Sequence, residues 1–354
     1  MKKLLTFVSA ITAGAIGSAA AEVSVSGGSN FYYSSGSGDE VQSVQEDSMT
    51  VTGGSVVFTM STETTNGITV GGSASITADT DDILEYTTTS NVSTAAGGVA
   101  TGMSQLTFGM DGMTITLGDI NNAGSGTGEG GDVTTFASTH AGAFTTITED
   151  KVTGSVAEAS DSAMDGIADG TGINVSTSIG GASVDLTFVS KVGSGRNSLL
   201  TASKTTGFSS GYAINVGFDM AGASVNVAAG GSQAKAQAVK NNTATAVEAS
   251  YPVSDALSVT AGASSGTISG ADEDNMFISA AYTMDADTTL SLGYGKGDSS
   301  YDGSLDKATA LTVNVSRSLG GGVSVFAEYA DVSFNEAGVD SSGSAMTVGT
   351  SVSF

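Results

Sequence analysis

Beyond its first twenty-one residues the chain is written in short stretches where apolar and polar side chains alternate. Between Thr309 and Leu319, Leu311, Val313 and Val315 alternate with Thr312, Asn314 and Ser316. The same period runs through Val184/Leu186/Phe188, Val225/Val227/Ala229, Met276/Ile278/Ala280/Tyr282 and Leu290/Leu292/Tyr294, with Ser, Thr, Gly, Asn or Ala between. A period of two gives an extended strand one apolar and one polar face. No long helical period accompanies it. Traced back from the C-terminus, the pattern predicts strands near 344–354, 323–333, 306–319, 288–297, 274–284, 256–265, 243–251, 223–233, 208–219, 183–192, 172–179, 113–119, 101–110, 68–79, 48–62 and 22–34, sixteen in all.

The connections alternate too. Met110-Asp111-Gly112, Gly180-Gly181-Ala182, Met220-Ala221-Gly222, Pro252–Asp255, Asp285–Asp287 and Gly320–Gly322 read as tight turns. Longer Ser/Gly/Asp-rich loops are expected at 35–47, 80–100, 193–207, 234–242, 266–273, 298–305 and 334–343. Short turns then fall on one rim and long loops on the other, provided residues 120–171 form a single loop. An even number of antiparallel strands with that asymmetry predicts an all-β fold, a transmembrane β-barrel. Stretches of roughly 9–12 residues suffice for a tilted strand to cross a bilayer. Sixteen strands enclose more space than side chains fill, so the polar face lines a water-filled lumen. Phe108, Phe218, Tyr251, Tyr282 and Phe354 fall near the short-turn ends, as an interfacial girdle requires. One misread hairpin would give fourteen strands, and an extra pair over Phe136–Thr148 would give eighteen. A register slip of one residue would exchange lumen and lipid faces.

The N-terminus reads differently. Met1-Lys2-Lys3 is basic, Leu4–Gly17 is apolar, and Ala19-Ala20-Ala21 offers a small-residue cleavage site. Residues 1–21 are therefore expected to be a cleaved signal peptide. Residues 22–354 are expected to form a single barrel, with 120–171 as its long third loop.

Composition narrows the function classes. The 354 residues include no Cys, one His, one Pro and 50 Gly. Without Cys there is no disulfide scaffold or thiolate metal site. A single His argues against a His-triad enzyme and against a multi-His metal site. With no nucleophile motif either, an enzyme is not expected. The 11 Lys and Arg against 36 Asp and Glu give a net charge of −25, which argues against nucleic acid. At 39% hydrophobic the chain is not disordered.

Three segments carry a family resemblance. They are the start Ala21-Glu22-Val23-Ser24-Val25-Ser26-Gly27, the run Gln105-Leu106-Thr107-Phe108-Gly109 leading to Met113-Thr114-Ile115-Thr116-Leu117-Gly118-Asp119, and the terminal Phe354 after alternating Met346, Val348 and Val352. Together with the strand pattern they make the chain resemble a Gram-negative general porin of alphaproteobacterial type. The second run is similar to the family's FG-x-LT-x-GD segment, lengthened here by Met110-Asp111. The resemblance implies an outer-membrane homotrimer of 16-stranded barrels, with water-filled pores for small hydrophilic solutes. It also implies a third loop folded into the pore after Asp119. Phe354 resembles the assembly signal read by the barrel-assembly machinery.

Charge qualifies that expectation. The resemblance implies a basic cluster on the early-strand wall facing an acidic third loop. Here no Lys or Arg occurs between Glu22 and Asp150, and Lys151 is the first cation after the leader. The loop carries Glu129, Asp132, Glu149, Asp150, Glu158, Asp161, Asp165 and Asp169. Asp119, Glu129, Asp132, Glu149 and Asp150 are the candidate constriction residues. Strand parity places Asp185, Lys191, Glu248 and Glu328 on the lumen wall. Carboxylates in a narrow aqueous pore attract cations and repel anions, so a cation-preferring channel in contact with outer-membrane lipids is expected. Calcium on the acidic loops is the one cofactor left open. His140 reads as an ordinary loop residue, Arg317 as an interfacial cation and Asp272–Asp274 as a solvated loop cluster. Ser155–Ile167 has the composition of a short helix. The alternative reading is a secreted or surface-layer acidic β-protein without a pore, against which stand the unequal loops and the absence of a fixed repeat.

Overall fold

In a computed structural model of the chain, residues 22–39, 48–77, 100–120, 164, 167–168, 170–192, 208–234, 241–268, 270–300, 306–336 and 339–354 are described. They form a closed antiparallel barrel of sixteen strands. The first eight are β1 (Glu22–Asp39), β2 (Ser48–Glu63), β3 (Thr69–Thr77), β4 (Ala100–Met110), β5 (Met113–Ile120), β6 (Gly170–Ile179), β7 (Ala182–Val192) and β8 (Phe208–Met220). The others are β9 (Ala223–Ala234), β10 (Asn242–Ser254), β11 (Leu257–Ile268), β12 (Ala271–Thr283), β13 (Thr288–Ser299), β14 (Asp306–Gly320), β15 (Val323–Glu336) and β16 (Val339–Ser353). Each pairs with its neighbours in sequence, and β1 closes on β16 from Gly28↔Ser353 to Asp39↔Ser342. Just beyond that ladder, Gly27 and Phe354 exchange two backbone hydrogen bonds of 3.0 Å. Closure leaves no unpaired sheet edge, which the hydrocarbon interior of a bilayer demands.

The short connections share one rim. Asp111-Gly112, Gly180-Gly181, Ala221-Gly222 and Gly321-Gly322 all place two successive residues at positive φ. That backbone matches the twist of a two-residue hairpin. Asp111 and Ala221 are the non-glycine residues held there among the described ones. Alanine has no side-chain polar group to offset the left-handed conformation.

The opposite rim corrects the loop assignments. The segment 266–273 is not a loop: Thr267 pairs with Asp272 and Ile268 with Ala271. Likewise β15 and β16 meet with Glu336 opposite Val339, inside the expected loop 334–343. Several strands thus run longer than a membrane crossing requires. Their extensions are rich in Ser, Gly and Thr, residues that also mark loops. Asp272 and Asp274 consequently sit exposed on the outer face, while Glu273 is buried on the inner one.

Alternation sorts the wall as a membrane barrel needs. Leu186, Phe188, Ile214, Ile278, Leu292, Leu311 and Val348 are exposed on the outside. The inward set includes Ala213, Ala228, Ala244, Ala246, Ala308, Ala310 and Ala330, all buried. Tyr251, Tyr282 and Phe354 are exposed near the short-turn rim, where a girdle belongs.

Candidate functional site

The inner wall is built by every second residue of each strand. On β7 this set is Asp185, Thr187 and Val189; on β10 it includes Ala244, Ala246 and Glu248; on β15, Phe326, Glu328 and Ala330. Asp185 accepts a hydrogen bond from Ser176 Oγ of β6. Ser176 Oγ also lies 3.0 Å from Asn174 Oδ1, and Asn174 Nδ2 donates to Thr187 Oγ1 at 2.8 Å. The one Ser176 hydroxyl proton goes to the charged acceptor, the stronger of the two. Glu328 is 2% exposed and accepts from Asn314 Nδ2 at 3.2 Å across β14–β15. Its other cross-strand partner is Thr347. Glu248 is half-buried on the same face, between Asn226 and Gly262.

Glu273 joins this inward set on β12: the cluster Asp272–Asp274, expected as a solvated loop, lies on a strand, with Glu273 buried on its inner face. The signal was present. Met276, Ile278, Ala280 and Tyr282 define the outer parity, and stepping back along it puts Asp274 and Asp272 outside and Glu273 inside. Outward, Lys296 pairs with Asp298 at 3.4 Å. Lys307 lies on the outer parity of β14 with Leu311 and Val315, as does Arg317. Among residues whose side chains are described, the Lys and Arg of the strands thus lie on the outer parity, and carboxylates occur on both faces: Asp185, Glu248, Glu273 and Glu328 inside, Asp272, Asp274, Asp298 and Asp331 outside.

Asp119 and Lys191 occupy one row of the sheet, since both pair with Thr171 of β6. Ser190 is an extra residue at a bulge between the pairs Gly172↔Val189 and Thr171↔Lys191. The parity that turns Asp185 inward is thus interrupted before Lys191. Glu129, Asp132, Glu149 and Asp150 lie outside the described residues, as do His140 and the proposed calcium loops. Among the described residues no group of three or more His, Asp or Glu is placed to hold a metal.

Three residues ahead of β6 in the 120–171 segment are described, and they lie against the inner wall. Met164, Ile167 and Ala168 are at most 1% exposed. They share one apolar cluster with Ile120 (β5), Val189 (β7), Ala213 (β8), Ala228 (β9), Ala244 and Ala246 (β10) and Ile268 (β11). Met164 and Ile167 belong to turns, with Ile167 N–H donating to Met164 O at 3.3 Å. The rest of the helix expected over Ser155–Ile167 is outside the described residues.

At the short-turn rim, Arg317 Nη1 donates to Thr288 Oγ1 at 2.8 Å and lies 3.4 Å from Asp285 Oδ2. The N–H of Asp287 donates to Asp285 Oδ1 at 2.9 Å. That backbone bond first, then Thr288 and the Arg317 charge, hold the Asp285 carboxyl below its ordinary range.

The family model for Gram-negative porins matches residues 6–337. Among solved structures, a loop L8 deletion mutant of OmpT, an outer membrane protein of Vibrio cholerae, is similar at a TM-score of 0.63 and 11% identity. That likeness covers 94% of this chain and 99% of the other. The anion-selective porin from Comamonas acidovorans gives 0.62 at 13% identity, covering 94% and 100%. The outer membrane channel DcaP of Acinetobacter baumannii gives 0.62 at 12% identity, covering 94% and 97%. Among curated proteins none matches significantly.

Proposed function

The chain belongs to the Gram-negative porin family, and from that premise we propose that it prefers cations. It is an outer-membrane channel for passive diffusion of small hydrophilic solutes, a pore rather than an enzyme. One observation carries the preference: the partly exposed Asp185 and Glu248 and the buried Glu273 and Glu328 all lie on the inner side of the wall, while the described cations of the wall lie on the outer side. Fixed carboxylates along an aqueous passage raise the local cation concentration and exclude anions. The family's basic wall is absent from β1–β5, where no Lys or Arg occurs. The anion-selective porin from Comamonas acidovorans has a similar fold. In this reading the sign of selectivity is set by side chains and not by architecture.

The long third segment adds to the same field. In this reading Glu129, Asp132, Glu149 and Asp150 place further negative charge at the constriction, and calcium is at most a bridge between acidic loops. Phe354 serves assembly, and residues 1–21 are removed on export. A homotrimer is the assembly proposed here; a trimer form is described for OmpT of Vibrio cholerae.

Reversal potential under a KCl gradient across a planar bilayer tests the preference. Stepwise conductance with potassium favoured over chloride is the expected result. Glu129→Gln with Asp132→Asn, and separately Asp185→Asn with Glu248→Gln, should each lower the ratio. Chloride preference in the parent would overturn the charge argument while leaving the channel intact.

A further inference from the structure

We propose that Ile167 and the two glycines facing it, Gly211 and Gly230, form the seat that sets the bore of the channel. The inference rests on the reading that the 120–171 segment narrows the pore, and it assigns the residues that hold that segment's C-terminal end.

Gly211 on β8 and Gly230 on β9 are inward and diagonal to each other, since Gly211 pairs with Ser232 and Ala213 with Gly230. A Cβ at Gly211 would stand 2.7 Å from the carbonyl oxygen of Ile167 and 3.1 Å from Ala168 Cα. A Cβ at Gly230 would stand 2.8 Å from Tyr212 O of the neighbouring strand and 2.9 Å from Ile167 Cγ2. The backbone and side chain of Ile167 thus each rest on a bare glycine Cα, where a side chain would meet the Ile167 carbonyl oxygen or its Cγ2 methyl. Around them Ala213, Ala228, Ala244 and Ala246 keep the wall low, while Ile120, Met164, Val189 and Ile268 complete the apolar contact. A water-filled lumen gains nothing from an apolar inner patch that faces only water. Here the patch is covered, and Ile167 is 1% exposed. Small residues recess the wall, so the strand backbone itself fixes how far Ile167 stands from the barrel axis.

The absence of cysteine gives a clean test. In the pair Ile167→Cys with Gly230→Cys, the two Cβ atoms fall within reach of a disulfide. Mild oxidation of the folded protein in vesicles should consume both thiols within one chain, and the oxidised channel should exclude neutral polyethylene glycols at the parent's size limit. Ile167→Ser, checked for the parent's heat-modifiable mobility, should admit larger polymers. Its potassium-to-chloride ratio should not change, because no charge has moved. Two results overturn the proposal: no cross-link while both thiols are titratable in the folded barrel, or a cross-link with Ile167→Ser keeping the parent's size limit. Reversal potential reads the charge proposal and polymer exclusion reads this one, so either can fail alone.

Discussion

Arginine placed at two adjacent positions of β13 tests the wall assignment on which the pore lining depends. Leu292 is 47% exposed on the outside, between Ala280 and Val313 of the neighbouring strands. Ser291 points inward between Ala281 and Asn314. Leu292 stands four residues above Thr288. At 3.3 Å per residue and a tilt near 40° that is about 10 Å above the turn rim, close to the middle of an apolar band about 25 Å tall. An Arg at mid-bilayer on the lipid face costs about 2–4 kcal/mol, which lowers the folded-to-unfolded ratio by about thirty-fold to several hundred-fold. Equilibrium unfolding in urea in the presence of lipid vesicles, read by gel mobility, should show that loss for Leu292→Arg. Ser291→Arg should fold like the parent and shift the reversal potential toward chloride. If Ser291→Arg fails to insert while Leu292→Arg inserts and changes selectivity, the faces are exchanged and the assignment of the inward carboxylates falls with them.

Three further outcomes are expected. Asn314→Ala removes a donor from buried Glu328, and a cost of about 1–3 kcal/mol should appear as a lower urea midpoint with an unchanged slope. Ala221→Gly relieves a left-handed alanine in the β8–β9 turn, where φ is 52°, and should raise stability by about 0.5–1 kcal/mol; no gain would deny strain at that turn. Asp285 has its folded pKa lowered from 3.8, so its contribution is present above that value and is lost as pH falls through the folded one. Asp285→Asn should therefore melt below the parent at pH 5–8 and converge with it as the pH falls below 3.8; a gap that widens in acid would contradict this.

The number of strands and the position of the tight turns were readable because alternation and turn chemistry are local. Leu311, Val313 and Val315 declare their face without reference to any other strand, and Ala221-Gly222 declares its turn. What was lost depends on partners. Thr267 and Asp272 look like loop residues until each is seen to pair with the other, and Glu273 was lost with them. Lys191 could not be placed by counting from Asp185, because the extra residue Ser190 exists only relative to β6. Ile167 and Met164 are ordinary apolar residues in an acidic segment. Their significance comes from glycines more than forty positions downstream, and no periodicity links the two.

The start of β1 and the end of β16 stand at the same rim and are joined there by the hydrogen bonds between Gly27 and Phe354, so the seam is antiparallel like every other pair. Deleting one strand would bring the seam together in the wrong direction. Deleting a hairpin such as β10–β11 would not, because β9 ends and β12 begins at the same rim. The circumference can therefore change only in steps of two strands, an eighth of this sixteen-stranded wall. Calibre is quantised by connectivity, and any finer adjustment falls to chain held inside the wall.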